Sequence, residues 1–184
     1  MSSAILDNNW DLDVSNEALH VAVQKVHICA LRNEFNEGED DQPPTNHWVI
    51  CLQTSPKSSI MLDIAPGYGE DGLRGKILVT LLDRSFTDET LRHFTYTPER
   101  PIEVKDILSI IQAKSRQAYT FSPEWEGCRY WISVVIDDLE SEGILTDASK
   151  DALGKLSMYW ICPDGQEPRE MRKGNFSSSV NMIE

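Results

Sequence analysis

The sequence predicts an α+β fold, in which an antiparallel sheet formed by the first half of the chain is followed by helices. Apolar and β-branched segments separated by polar turns follow one another as far as residue 97. After Pro101 the apolar residues recur at helical spacing instead. Strands that come first and helices that come later are typical of α+β proteins, whereas parallel α/β folds alternate the two.

Five segments are predicted strands because their apolar residues alternate or because they are rich in β-branched residues. They are residues 20–31, 47–52, 60–64, 76–82 and 91–97. The first changes phase at Gln24–Lys25, which indicates a bulge or two short strands. The second and third flank a short polar turn, so we expect them to form a hairpin.

Three helices are predicted in the second half of the chain. The first covers residues 103–115, where apolar residues lie on one helical face. The second runs from about Cys128 to Glu142 and ends at Gly143, a natural C-terminal stop. The third begins near Thr146–Asp147, whose side chains suit an N-cap, and reaches about residue 158.

Length and composition indicate one globular domain over residues 19–184, preceded by a polar, loosely held lead-in over residues 1–18. The net charge of −13 argues against binding to nucleic acid or to an anionic membrane, since such binding depends on clustered Lys and Arg. We see no signal peptide and no apolar run long enough to span a membrane, so we expect a cytoplasmic protein. The four cysteines and four histidines are scattered, and we expect free thiols, no metal and no cofactor.

Three residues are the candidates for chemistry. Cys128 opens a long predicted helix, where free N–H groups and the helix dipole favour a thiolate; the alternative is a buried, inert cysteine. His47 begins a strand and could exchange a proton with a thiol, or could simply face solvent. Asp63 lies on the partner strand and could orient that imidazole, as in a catalytic triad, or could merely end the strand.

Four residues near these positions are the candidates for substrate binding: Trp48, Tyr119, Trp125 and Arg129. Trp125 lies in the loop before the Cys128 helix and is the best placed of them to line a pocket. Arg129 could favour the thiolate or bind a carboxylate, but we expect it to point into solvent. The long acidic loop over residues 34–41 is interpreted as a solvated lid or linker.

Three segments of the chain resemble a known enzyme family. The segments His47-Trp-Val-Ile-Cys-Leu and Ile60-Met-Leu-Asp-Ile-Ala-Pro resemble the hairpin of the lecithin:retinol acyltransferase-like branch of the NlpC/P60 superfamily. Gly127-Cys-Arg-Tyr-Trp resembles the family's Asn-Cys-x-x-Phe motif. The resemblance implies a permuted papain-like fold with Cys128 as nucleophile, His47 as base and Asp63 as the orienting residue.

Two positions depart from the family pattern. Gly127 stands where the family usually has Asn, and Asp63 stands where the acyltransferases have a second His. The chain also lacks the hydrophobic tail of many of those enzymes, so a membrane lipid is not the expected substrate. The whole pattern from residue 26 to residue 131 separately resembles an uncharacterised domain family of filamentous fungi, which implies no activity.

The leading hypothesis is a cysteine-dependent hydrolase or acyltransferase that acts on a small soluble ester, thioester or amide. A second hypothesis is a cyclase or isomerase of fungal secondary metabolism, in which His47 or Asp63 acts as acid or base without a covalent step. A third is a non-enzymatic module whose acidic surface recruits a basic partner. The sequence does not specify the oligomeric state.

Overall fold

The computed structural model describes residues 8–34, 38 and 43–177. The strands are β1 (Trp10–Asp13), β2 (Lys25–Leu31), β3 (His47–Ser55), β4 (Ser58–Tyr68), β5 (Arg74–Leu82), β6 (Thr90–Tyr96), β7 (Tyr119–Thr120), β8 (Met158–Cys162), β9 (Gly165–Pro168) and β10 (Asn175–Phe176). The helices are α1 (Asn16–Leu19), α2 (Val104–Ala113), α3 (Cys128–Ser141) and α4 (Ala148–Leu156).

In the described part of the chain, eight strands form one mixed sheet. Its order is β10-β7-β5-β4-β3-β2-β6, and β1 adds to β5 as a parallel neighbour. The other neighbours are antiparallel, including the predicted β3–β4 hairpin. The strands β8 and β9 form a separate hairpin. Because the main helices follow the central strands in sequence, the predicted α+β class is confirmed.

One face of the sheet carries the main hydrophobic core. Alternation along β3 turns Trp48 and Ile50 inward, and the register pairs Ile50 with Leu62 of β4. The helix α3 covers these strands with Trp131 and Val135, which are also buried. Complete burial of each such aliphatic or aromatic side chain stabilises the fold by about 1.5–3 kcal/mol. This packing fixes α3 against the two strands that carry His47 and Asp63.

The opposite face of the central strands holds a smaller buried cluster of Cys29, Leu31, Val49 and Cys51. Leu31 pairs directly with His47, so His47 lies on this second face. Asp63 lies on the same face as its neighbour Met61, which packs against the smaller cluster. The two polar side chains therefore emerge on one side of the sheet, at the end where β3 begins.

Two predictions for the N-terminal region are wrong. The described part of the lead-in is not loosely held, because Trp10 is buried and β1 pairs with Ile77–Thr80 of β5. The strand predicted from His20 begins only at Lys25, and the phase change there marks the start of β2 rather than a bulge. Before it, Ala22 makes an isolated bridge to Glu103. Parallel pairing with a distant strand leaves no local turn signal, which explains why the sequence pattern missed β1.

Candidate functional site

The site is built on a hydrogen bond between two neighbouring strands. His47 Nε2 lies 2.8 Å from Asp63 Oδ1. When the β3–β4 register is extended from Ile50 and Leu62, His47 and Asp63 become diagonal neighbours on one face, where long side chains meet. Their side chains are 29% and 18% exposed, so solvent reaches both groups although most of each is covered.

A tight turn before α3 sets the position of Cys128. The Trp125 N–H donates to the Ser122 carbonyl at 2.8 Å, and the Ser122 N–H donates to the Glu126 carbonyl at 2.9 Å. Pro123 suits the second position of such a turn because its ring fixes φ near the value required there. The turn delivers Cys128 as the first residue of α3, with its thiol partly exposed.

Gly127 is the N-cap of α3 and has no room for a side chain. A Cβ at this position, where φ is 155°, would lie 2.7 Å from the Tyr119 hydroxyl oxygen. That hydroxyl donates to the Gly127 carbonyl and accepts from the Gly174 N–H, both at 2.9 Å. Asn, the usual residue of the acyltransferase-like proteins here, therefore does not fit without displacing Tyr119. As a glycine, the N-cap also supplies no side-chain acceptor to the first N–H groups of α3.

The electrostatics of the site favour a protonated His47. Burial lowers the pKa of His47, but the hydrogen bonds and charges of Asp63 and Cys128 together outweigh burial and hold that pKa well above its ordinary value of 6.5. The Cys128 thiol is thus a second acidic group that raises the pKa of the imidazole. Because Asp63 takes Nε2, the nitrogen left for the thiol is Nδ1. Such an arrangement stabilises an imidazolium between a carboxylate and a thiolate.

Three of the four predicted substrate-binding residues are buried. Trp48 is 0% exposed, Tyr119 is 1% exposed and Arg129 is 3% exposed, so none of them offers a surface to a ligand in this structure. Trp48 lies in the main core, and Tyr119 supports the Gly127 backbone. The prediction that Arg129 points into solvent is wrong, because its guanidinium donates to buried carbonyl groups.

Trp125 differs from these three because 53% of its surface is exposed. Its φ of 62° is in the left-handed region, which is unusual for a bulky residue and is held here by the turn that precedes α3. The ring lies over Gly72 in the β4–β5 loop, where an added Cβ would come 3.0 Å from Trp125 Cη2. An exposed aromatic ring three residues before Cys128 remains suited to contact an apolar part of a substrate.

Two charged residues beside the site were not predicted. Glu126 and Arg169 are 7% and 9% exposed and form an ion pair with each other. A carboxylate immediately before the Gly127-Cys128 pair was a weak local signal for Glu126. No sequence feature links Arg169 to a helix that begins 41 residues earlier in the chain, because the contact is purely tertiary.

Neither a metal-binding cluster nor a membrane-spanning helix is found in the described part of the chain. Within residues 8–34, 38 and 43–177, no group of three or more His, Cys, Asp or Glu side chains is arranged to hold a metal ion. The acidic loop predicted as a lid or linker, residues 34–41, falls almost wholly outside the described residues. No helix in the described ranges combines the length and the apolar character needed to cross a membrane.

A family model described as "Domain of unknown function (DUF7770)" matches residues 26–177. The chain belongs to this family. The resemblance to an uncharacterised domain family is thereby confirmed, and the DUF7770 match includes His47, Asp63 and Cys128. No curated protein and no solved structure matches the chain.

Proposed function

We propose that this protein is a cysteine-dependent acyl-transfer enzyme, either a hydrolase or an acyltransferase. The observation that carries the proposal is the meeting of Asp63, His47 and Cys128 from two strands and a helix start. A nucleophile beside a base that a third group orients is the arrangement expected for nucleophilic catalysis.

The proposed reaction starts with the ring of His47 protonated, because its pKa is raised, and with the thiolate of Cys128 as the nucleophile. The Cys128 thiolate attacks the acyl carbon and forms a carbon–sulfur bond, while the carbonyl electrons move to the oxygen. N–H groups in the first turn of α3 are directed at this end of the helix and stabilise the oxyanion.

Collapse of the oxyanion breaks the bond to the leaving group, which takes a proton from His47 Nδ1 and departs as an alcohol, thiol or amine. Water or another acceptor then attacks the thioester, loses its proton to His47 and releases the acyl group from Cys128. Asp63 holds Nε2 throughout and so leaves Nδ1 for the proton transfers to the leaving group and from the attacking water.

A permuted papain-like architecture is part of this proposal. It is supported by the order of the base strand, the return strand and the nucleophile helix along the chain. The substrate class we propose is a small, soluble ester, thioester or amide, because the thiol and imidazole are partly exposed and the exposed ring of Trp125 adds an apolar surface close to them in sequence.

One observation favours a second candidate, a cyclase or isomerase that forms no covalent intermediate. A protonated His47 can act as a general acid without any nucleophile. Replacing Cys128 with Ala separates the two candidates, since it removes the acyl-transfer activity and leaves acid catalysis by His47 in place.

The test is the pH dependence of alkylation by iodoacetamide, followed separately for each cysteine by mass spectrometry. Cys128 is expected to react well below pH 8, and the exposed Cys162 is the comparison thiol in the same sample. In the His47→Ala variant, the Cys128 profile is expected to move toward that of Cys162. Below its pKa, a thiol loses about tenfold in thiolate for each pH unit, so the comparison is sharpest near pH 6.

The buried Cys29 and Cys51 are controls for folding in the same sample, because both have no exposed surface in the folded protein. Their protection shows that the reacting chain is folded. If Cys128 and Cys162 have the same profile, and His47→Ala changes neither of them, the proposal is wrong.

A further inference from the structure

A buried charged cluster lies directly before the Cys128 helix. Glu126 accepts from Arg129 Nη2 through Oε2 at 3.2 Å and from Arg169 Nη2 through Oε1 at 2.7 Å. All three side chains are at most 9% exposed. We call these residues, Glu126, Arg129 and Arg169, the Glu126 cluster.

The Glu126 cluster ties together the segments that carry the site. Arg169 donates from Nε to the Pro44 carbonyl at 3.1 Å and from Nη2 to the Pro43 carbonyl at 3.3 Å. These carbonyls lie just before His47, whereas Glu126 lies just before Cys128. A single guanidinium thus bonds to both of the chain segments that lead into the two reacting side chains.

Arg129 extends these links to the C-terminal part of the domain. Its Nη1 donates to the Leu156 carbonyl at 3.2 Å and to the Arg169 carbonyl at 3.1 Å. Its Nη2 donates to the Glu170 carbonyl at 2.6 Å. These are neutral acceptors, so the hydrogen bonds hold the guanidinium without cancelling its charge.

The Glu126 cluster carries a surplus of positive charge, since two guanidiniums share one carboxylate. Arg172 lies beside the cluster, with Nη1 3.4 Å from Glu126 Oε1 and 3.8 Å from Glu124 Oε2, so Glu124 balances its charge and the surplus comes from Arg129 and Arg169. Charges removed from water interact more strongly than exposed ones, because less solvent screens them. Arg129, which follows Cys128 in α3 and interacts electrostatically with it, therefore brings buried positive charge to the start of the helix.

The charged and titratable groups that act on Cys128 come from several elements. His47 faces it from β3, with Asp63 of β4 behind the imidazole. Arg129 of α3 also interacts with the thiol through its charge, whereas Tyr119 of β7 is neutral because burial raises its pKa. Of these groups, only His47 and Arg129 favour the thiolate. Arg129 belongs to the Glu126 cluster and, unlike His47, does not titrate in the neutral range.

We propose that the Glu126 cluster keeps Cys128 in the thiolate form by holding surplus positive charge beside the start of α3 and by tying that start to the strand that carries His47. This inference rests on the proposed function, since it concerns the same nucleophile. The residues of the Glu126 cluster are positioning residues, which act on the reaction only through Cys128 and His47.

The experiment compares three variants by their Cys128 alkylation profiles. In Arg169→Met, the midpoint of the profile is expected to rise by about one pH unit, the lower end of the effect of one nearby charge. Arg169→Lys keeps the charge and is expected to restore most of the native midpoint. Arg84→Met is the matched control, because Arg84 also pairs with carboxylates, those of Asp83 and Asp88, but on the exposed β5–β6 loop. Its profile is expected to match the native one.

Protection of Cys29 and Cys51 again shows whether each variant is folded. If Arg169→Met is unfolded, Arg172→Met takes its place, since Arg172 is 30% exposed and its removal deletes a cation beside the same carboxylate. An unchanged midpoint in the folded charge-deleting variant overturns the inference, and so does an equal rise in Arg169→Met and Arg169→Lys. If Cys128 of the native protein has the profile of an ordinary thiol, the proposed function itself is wrong. Failure of the proposed function is thus distinguished from failure of the inference about the Glu126 cluster.

Discussion

Two histidines on the same face of the sheet differ in their partners. His27 of β2 has Nδ1 2.9 Å from Thr95 Oγ1 and Nε2 2.8 Å from Gln53 Oε1. Both partners are neutral, and His27 is only 3% exposed. Burial lowers the pKa of His27, so this imidazole is neutral at physiological pH.

His47 lies on the next strand, and both of its partners are acids. Burial lowers the pKa of His47 as well, but the hydrogen bonds and charges of Asp63 and Cys128 raise it well above its ordinary value. The same side chain in the same sheet therefore favours the neutral form at one position and the protonated form at the other. Burial lowers the pKa of both histidines, so it is the charge of the partners that raises the pKa of His47 alone.

Of the changes that test this difference between the two histidines, Asp63→Asn is expected to have the largest effect on a pKa. Asn keeps the size of the side chain but loses the charge, so the pKa of His47 is expected to fall by about 1–3 units, the range for loss of a close opposite charge. The measurement is an NMR titration of the imidazole resonances of the native protein and the variant. The Cys128 alkylation rate at pH 6 is expected to fall at least about tenfold with it.

His27 is the control in the same titration, because its partners do not change in Asp63→Asn. Its pKa is expected to stay where it is. A His47 pKa that is the same in both proteins contradicts the view that the carboxylate sets the protonation state of His47.

A smaller effect, in the opposite direction, is expected from Gln53→Glu. This change gives His27 a carboxylate partner at the position that now holds Gln53 Oε1, so the pKa of His27 is expected to rise by about one unit. The rise is smaller than the change at His47 because the second partner, Thr95, stays neutral. The same NMR titration measures it, and a His27 pKa that remains low shows that burial outweighs the new charge.

The central part of the fold was accessible from the sequence because its signals are local. Alternation predicted the strands that carry His47 and Asp63, and helical spacing predicted α2 and α3 to within two residues. The β1 and β10 strands were missed because each pairs with a strand distant in sequence, which leaves no turn signal. The C-terminal hairpin was missed although Gly165 lies near its turn.

Only three residues of the candidate site were predicted from the sequence. Cys128 and His47 were chosen because they lie at a helix start and a strand start, and Asp63 because it lies on the strand that pairs with that of His47. Arg129 was misplaced because its partners are backbone carbonyls of residues 156, 169 and 170, which no local pattern connects to it. Long-range carbonyl contacts of this kind depend on the assembled fold, so they follow from structure and not from sequence spacing.

The smallest effect concerns stability, and the two histidines are expected to give opposite pH dependences. The folded pKa of His27 is lowered, so the unfolded chain binds its proton first and stability is lost as the pH falls below about 6.5. The folded pKa of His47 is raised, so its contribution to stability is fully present below about pH 6.5 and is lost as the pH rises through the folded pKa.

Urea unfolding of the native protein, His27→Gln and His47→Gln at pH 5, 6 and 7.5 measures both effects. The free-energy difference between the native protein and His27→Gln is expected to shrink toward pH 5 by on the order of 1 kcal/mol, whereas the difference for His47→Gln is expected to be largest there. Two differences with the same pH dependence would mean that the partners of these histidines do not control their protonation in the folded state.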